Sequence, residues 1–233
     1  TDTNTELLLL AQHGTDAEFI AQIYQGSTWQ STSDTGGGVN FSTNTWYHIV
    51  WVMNVEASTI KLYLDGVEVI NLSTTQFANF TTRAKSYLGR GNSEDRYFDG
   101  QIKSLNIWER ALTASEIQML YGKGLNYNFY NTDPSITFQT TVPNNFMGKI
   151  KHSIFFDTNT YIDQTGNSTV TLYNNPAIDV SGISLERNNS QYVDLGETYI
   201  GGTLTFAIWV NVHDTSQRSQ RIINFQTDTN TEL

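Results

Sequence analysis

The chain has 233 residues, no cysteine, three prolines and a formal net charge of −10, and no Lys or Arg precedes Lys61. One sizeable core is within reach of such a length, while the missing cysteines exclude a disulfide scaffold and a thiolate metal site. The acidity leaves no cationic footprint for nucleic acid, and no apolar run approaches the ~20 residues that span a bilayer.

In chain order, residues 1–6 form a polar turn and 7–12 read as a buried strand, followed by His13-Gly14-Thr15-Asp16 turn chemistry and a second strand over 18–24. Residues 25–44, rich in Ser, Thr and Gly, read as a loop. Residues 46–53 are aromatic and β-branched and predict a strand buried on both faces. Asp65-Gly66 separates the alternating runs 60–64 and 67–70, which predicts a hairpin with a type I′ turn because both turn positions need positive φ. Residues 76–83 read as a loop, 86–89 as a short strand and 98–108 as a longer one. Thr113-Ala-Ser-Glu116 is a capping box. Ile117, Leu120 and Tyr121 share one face of the helix it starts, about two turns long, with Gly122 as its C′ residue.

Pattern then dissolves over 123–148, which contain Pro134 and Pro143 and read as a linker, with an edge strand at 136–138 as the alternative. Strand character resumes at 151–157. Turns fall at 163–167 and 187–190. Leu204, Phe206, Ile208, Val210 and Val212 alternate with polar and small residues through 203–212, and 221–225 give a last strand. The all-β composition, with one short helix, points to an antiparallel sandwich.

The two ends carry the same heptapeptide: residues 1–7 and 227–233 both read Thr-Asp-Thr-Asn-Thr-Glu-Leu. Chance does not supply such an identity, so the chain reads as one period, 226 residues long, of a tandem array.

Several segments resemble the laminin-G-like, concanavalin A-like lectin/glucanase superfamily. Trp46-Tyr-His-Ile-Val with Ile60-Lys-Leu-Tyr-Leu-Asp-Gly66, and Phe98-Asp-Gly-Gln-Ile-Lys-Ser-Leu-Asn-Ile-Trp108 with Ala111-Leu-Thr-Ala-Ser-Glu-Ile117 and Leu120-Tyr121, are similar to the later two-thirds of such a domain. Residues 154–166, 184–195 and Thr205-Phe-Ala-Ile-Trp209 are similar to its beginning. The family order is therefore inverted, and joining residue 225 through the heptapeptide to residue 8 restores it. On this basis 1–122 are the C-terminal part of one sandwich, 123–148 a linker, and 149–233 the N-terminal part of the next sandwich or of the same one, permuted. The implied fold is a jelly-roll β-sandwich.

Glycanases of this fold resemble one another in a Glu-x-Asp-x-(x)-Glu strand. Here no Glu is followed two positions later by Asp, and His13, His48, His152 and His213 stand apart from any nucleophile or metal motif, so no enzymatic activity is expected. Aromatic rings stack on sugars, which makes Trp29 and Tyr97, in polar loops, the glycan-binding candidates; the simpler reading is that each caps the edge of the core. Trp46, Trp51, Trp108 and Trp209 lie in strand patterns and read as core.

No cofactor is required by the sequence, and calcium is the one the resemblance implies. Glu94, Asp95, Asp99, Asp157 and Asp163 are its candidate ligands. Calcium needs roughly six to eight convergent oxygens, and Lys103 and Ser104 stand where the family often carries acids, so solvated surface acids are the simpler reading. Glycosylation sequons fall at Asn40, Asn71, Asn79, Asn167 and Asn188. The expected protein is a non-catalytic repeat module of an extracellular or surface fibre or adhesin, on a cell, appendage or virion. Its expected partners are neighbouring copies head to tail. The alternative is a glycan-binding lectin domain, assisted by calcium.

Overall fold

The structure, a computed structural model, describes residues 5–13, 17–26, 28–32, 38–91, 96–130, 147–158, 161–216 and 218–227. The first part of the chain forms β1 (Thr5–His13), β2 (Ala17–Gln25), β3 (Thr28–Ser31), β4 (Val39–Asn40), β5 (Trp46–Asn54), β6 (Thr59–Leu64), β7 (Val67–Ser73), β8 (Thr81–Arg83), β9 (Lys85–Leu88), β10 (Gly100–Trp108) and helix α1 (Ala114–Lys123). The second part adds β11 (Ile150–Phe155), β12 (Thr171–Tyr173), β13 (Ala177–Asp179), β14 (Gly182–Leu185), β15 (Tyr192–Asp194), β16 (Thr198–Ile200), β17 (Leu204–Val212) and β18 (Gln220–Gln226).

Two large antiparallel sheets face each other. Sheet A runs β12-β15-β9-β18-β1-β2-β3, with β4 also on β2, and sheet B runs β13-β14-β10-β17-β5-β6-β7, with β11 also on β10. A minor sheet pairs β16 with β8. Period-two alternation sorts the side chains. Leu7, Leu9, Phe19, Ile23, Leu88 and Phe225 from sheet A meet Trp51, Leu105, Ile107, Phe206 and Ile208 from sheet B in one buried cluster. Trp51 stacks on Phe206 at 5.4 Å between ring centroids, and Phe206 meets Phe225 edge-on across the two sheets.

The outward face of sheet B has a cover of its own. Ile117 and Leu120 of α1 seal Val50, Val52, Tyr63, Trp108 and Ala207 into a second cluster. The capping box forms as the sequence predicts: Thr113 Oγ1 accepts from the Glu116 amide, and Glu116 accepts from the Thr113 amide. The helix runs beyond the end that the sequence pattern assigns it. Gly122 lies inside it, and Gly124, at φ +81°, ends it with its N–H on the Tyr121 carbonyl. Tyr121 is exposed at 39% and leaves the packed stripe to stack on His48 and Trp209.

Asp65 and Gly66 both take positive φ, 50° and 80°, as a type I′ turn between β6 and β7 requires. The stretches 25–44 and 76–83, read from sequence as loops, contain β3, β4 and β8. These strands are short and polar because they lie at sheet edges or in the minor sheet, where hydrophobic alternation is not needed. The alternative edge strand at 136–138 falls outside the described residues.

The two parts of the chain interleave. β17 lies between β10 and β5, and β18 between β9 and β1. Among the strands of the second part, only β12 with β15 and β13 with β14 pair with each other. The two ends of the described chain meet in this arrangement. Glu6 pairs with Gln226, the Thr227 amide donates to the Thr5 carbonyl at 3.2 Å, and the Thr5 amide donates to Thr227 Oγ1 at 3.1 Å. Buried Arg83 fixes the spot, donating to the Thr5 carbonyl at 3.0 Å and to Thr5 Oγ1 at 2.7 Å. Thr1, the other end of the repeat, falls outside the described residues.

Candidate functional site

Sheet A presents a second, outward face built by the residues that alternate with its core set. The pairing register lines them up in rows across the strands. One row runs Asp194, Tyr87, Asn224, Leu8, Gln22 and Ser31, and the next runs Lys85, Gln226, Glu6, Tyr24 and Trp29. Planar amides, two carboxylates and rings thus share one surface. The middle of the rows is buried, with Asn224 and Leu8 fully covered and Glu6 at 6%. Trp29, at the edge, is 41% exposed and leans on the Tyr24 ring at 4.7 Å.

At the opposite edge of the same sheet the rings gather around a cation. Tyr173 stacks flat on Tyr192 at 4.4 Å, Tyr87 meets Tyr192 edge-on, and the Arg90 guanidinium lies 4.7 Å over the Tyr192 ring, within 6 Å of Tyr87 and Tyr97. Such a cation over π-faces is attracted by the ring quadrupoles. Burial raises the Tyr192 and Tyr87 hydroxyl pKa values, with Arg90 pulling the other way. Tyr97, a glycan candidate from its polar sequence surroundings with capping of the core edge as the simpler reading, is buried at 7% in this cluster, covered by Arg90 and Tyr192. No sequence period joins these five residues; only sheet pairing does.

Of the five acidic candidates, the three among the described residues, Asp99, Asp157 and Asp163, are not gathered into one site. Glu94 and Asp95 fall outside the described residues. The Asp99 carboxylate accepts from the Arg187 amide at 3.4 Å. Asp157 accepts from the Thr158 amide and hydroxyl, and its other oxygen lies 3.9 Å from Lys103 Nζ. Lys103 itself is buried in the bulge between Ile102 and Ser104 of β10, donating to the Val180 carbonyl at 2.7 Å over the Phe155 ring. Burial lowers its pKa, and Asp157 and Asp179 oppose the shift.

Asp163 is fully engaged. It accepts from His152 Nδ1 at 2.8 Å, the amides of Ser153 and Thr165, and the hydroxyls of Thr165 and Ser168. Burial alone would raise its pKa, but these donors outweigh it and hold the carboxyl at about 2. Its ligand capacity is spent on the protein. Among the described residues no group of three or more His, Asp or Glu side chains could hold a metal ion.

The remaining candidates divide by burial. Trp51 and Trp108 are core, whereas Trp46 and Trp209 are half-buried on the outward face of sheet B. His48 lies between Trp209 and Tyr121, and burial lowers its pKa to about 3, so it is neutral at physiological pH. Trp46, Leu125, Asn126, Phe155, Asp157, Val180 and Ser181 line an open depression of about 410 Å³ nearby. Asn40, Asn71, Asn79, Asn167 and Asn188 are all exposed. No helix among the described residues is long and apolar enough to cross a membrane.

A search of curated proteins finds no match. A family model described as the concanavalin A-like lectin/glucanases superfamily, of the laminin-G type, matches residues 1–118, a span that contains β1 to β10 and runs into α1. The strands of the second part complete the same two sheets, and the chain belongs to the concanavalin A-like lectin/glucanase superfamily.

Proposed function

We propose that the chain is a non-catalytic, laminin-G-like structural module of a large extracellular or surface protein of fibre or adhesin type, associating head to tail with copies of itself. The observation that carries this reading is the meeting of Thr5 and Thr227, two positions of one repeated heptapeptide, as bonded neighbours at the ends of β1 and β18. Cleavage of glycans by two carboxylates needs a facing pair in a cleft. The carboxylates described above are bound to their own neighbourhoods instead. Side chains committed to structure in this way favour a scaffold over a catalyst.

A second reading, glycan binding, is favoured by one observation: the half-open Trp29 ring backed by Tyr24 at the end of a row of polar side chains. Calcium belongs to this reading, with Asp99 and Asp157 as the described calcium candidates that retain some exposure. A glycan array and a panel of polysaccharide hydrolysis assays, each with calcium and with chelator, separate the two. The structural reading expects neither saturable binding nor product, and a melting temperature that calcium leaves unchanged. Saturable binding that disappears in Trp29→Ala would replace it with the lectin reading.

A further inference from the structure

We propose that, where copies of this chain follow one another covalently, each sandwich is assembled across the boundary between copies. The second part of one copy, 147–226, closes on the first part of the next, 5–130, rather than on its own. This rests on the reading of the chain as a repeated module, and it names the partner surface: β18 of one copy against β1 of its successor.

The repeat allows it without altering the sequence. Residues 227–233 equal residues 1–7, so a copy placed after Gln226 continues the chain unchanged. Its Thr1 then stands where Thr227 stands here, and Thr227 is the residue whose amide donates to the Thr5 carbonyl. Glu6 already pairs with Gln226 and Leu7 with Phe225. The junction therefore becomes an antiparallel hairpin in the register the structure holds, with Asp2, Thr3 and Asn4 as a three-residue loop. Three-residue loops are a common hairpin connection, and Asn tolerates the left-handed position such loops require.

Contacts do not choose between the two closures. Every pairing between the two parts, such as β18 on β1, β17 on β5 and β10, and β11 on β10, is the same whether the partner belongs to the same copy or the next. What differs is the connection. Closure within a copy ties α1, ending at Lys123, to β11, starting at Ile150, through 26 residues. Closure across the boundary uses three. The entropic cost of loop closure grows as three-halves RT times the logarithm of loop length, so closure probability falls as the three-halves power and favours the shorter connection by roughly 25-fold.

Reach adds a steric argument. If every copy closed on itself, the stretch from Thr1 to Thr5 at the boundary would have to link two finished sandwiches. It spans at most roughly 14 Å. Its starting position is already bonded to Thr5 of the same copy, at a junction where Thr5 is 1% exposed and Thr227 8%. Two finished sandwiches would have to abut at a buried point, whereas the exchanged arrangement puts the 124–149 stretch between them as a spacer.

The absence of cysteine makes the test clean. Two copies are fused as residues 1–226 followed by 1–233, and Glu6→Cys and Gln226→Cys are introduced as a cross-strand pair. In the single chain the pair should oxidise to a disulfide, which checks the register. In the fused protein, with Glu6→Cys in the first copy and Gln226→Cys in the second, exchange predicts a disulfide between the distant copies, within one molecule or joining molecules end to end. With both substitutions in the first copy it predicts crosslinking in less than about a tenth of the molecules, from the loop-length preference above. The reverse pattern would overturn the proposal, as would failure of the folded single chain to crosslink. Should Glu6→Cys or Gln226→Cys prevent folding, Ala11→Cys with Gln220→Cys, paired in the same ladder, asks the same question. Closure within each copy would sink the exchange and leave a structural module of separate beads, whereas glycan binding by the single chain would sink the structural reading alone.

Discussion

Asp163→Ala is the sharpest test of how the second part of the chain is held. The carboxylate is buried at 5% residue exposure and accepts from His152, Ser153, Thr165 and Ser168, tying the turn at 163–168 to β11 at the isolated bridge between Ile154 and Asp163. An ionised carboxylate only accepts, so His152 must carry its proton on Nδ1. Removing the acceptor leaves several buried donors without a partner and should cost about 3–5 kcal/mol. For a chain of this size that lowers the melting temperature by roughly 6–20 °C at pH 7.

The acid limb gives an independent check. The folded-state pKa is about 2 against an ordinary 3.8. A depressed carboxylate contributes stability that is complete above its unfolded pKa and is lost as pH falls through the folded one, here about 2–3 kcal/mol between pH 4 and pH 2. Melts followed by near-UV circular dichroism from pH 7 to pH 2 should show the gap between wild type and Asp163→Ala holding down to about pH 4 and narrowing below it. A variant that melts within 2 °C of wild type at pH 7 (roughly 1 kcal/mol or less), or a gap that stays constant through the acid range, would refute the reasoning.

Two further substitutions probe the two faces of the sandwich. Asn224 is fully buried on the outward face of sheet A, and neither its amide nitrogen nor its oxygen has a hydrogen-bond partner among the described residues. The near-isosteric Asn224→Leu should raise stability by about 1–2 kcal/mol in thermal melts; a lower melting temperature would mean that this amide is satisfied in solution. Glu116 takes a two-point contact from Arg110, at 3.0 and 2.7 Å, as well as the capping bonds of Thr113. Glu116→Ala should shift the urea midpoint down by an amount equivalent to about 1–2 kcal/mol with the slope unchanged. An unchanged midpoint would show that α1 is held by Ile117 and Leu120 alone.

The long strands were legible because both of their faces are constrained. Residues 46–53 read as buried on both sides, and most of them are, between the core and the cover of α1. Leu204, Phe206, Ile208, Val210 and Val212 alternate with their neighbours because β17 sends this set into the core between the sheets and the intervening residues to the outward face. The short strands β12 to β16 carry no such pattern, since several of their pairing partners lie far away in sequence and their outward residues need not be apolar. His152 stood alone in the sequence because its partner, Asp163, is on a separate turn that the Ile154–Asp163 bridge brings back beside β11. The Arg90–tyrosine cluster was hidden for a similar reason: five residues spread from Tyr87 to Tyr192 become neighbours only through the β12–β15 and β15–β9 pairings. Tyr97 follows the simpler of its two sequence readings, a ring packed at the edge of the core, but the guanidinium of Arg90 that covers it could not be read from its polar neighbours.

The interleaving of the two parts bears on how the protein is made. β17 and β18 are synthesised well after β1 to β10, yet each is inserted between two strands of the first part. At 5–20 residues per second, the roughly hundred residues separating β10 from β18 take about 5–20 s to emerge. Throughout that delay Trp51 lacks Phe206, Leu7 lacks Phe225, and the edges of β1 and β10 offer unpaired backbone to any neighbouring chain. With a following copy, the waiting part would instead be 147–226, which carries only the two short pairs β12–β15 and β13–β14 of its own. Each new first part would then find its complement already synthesised just ahead of it.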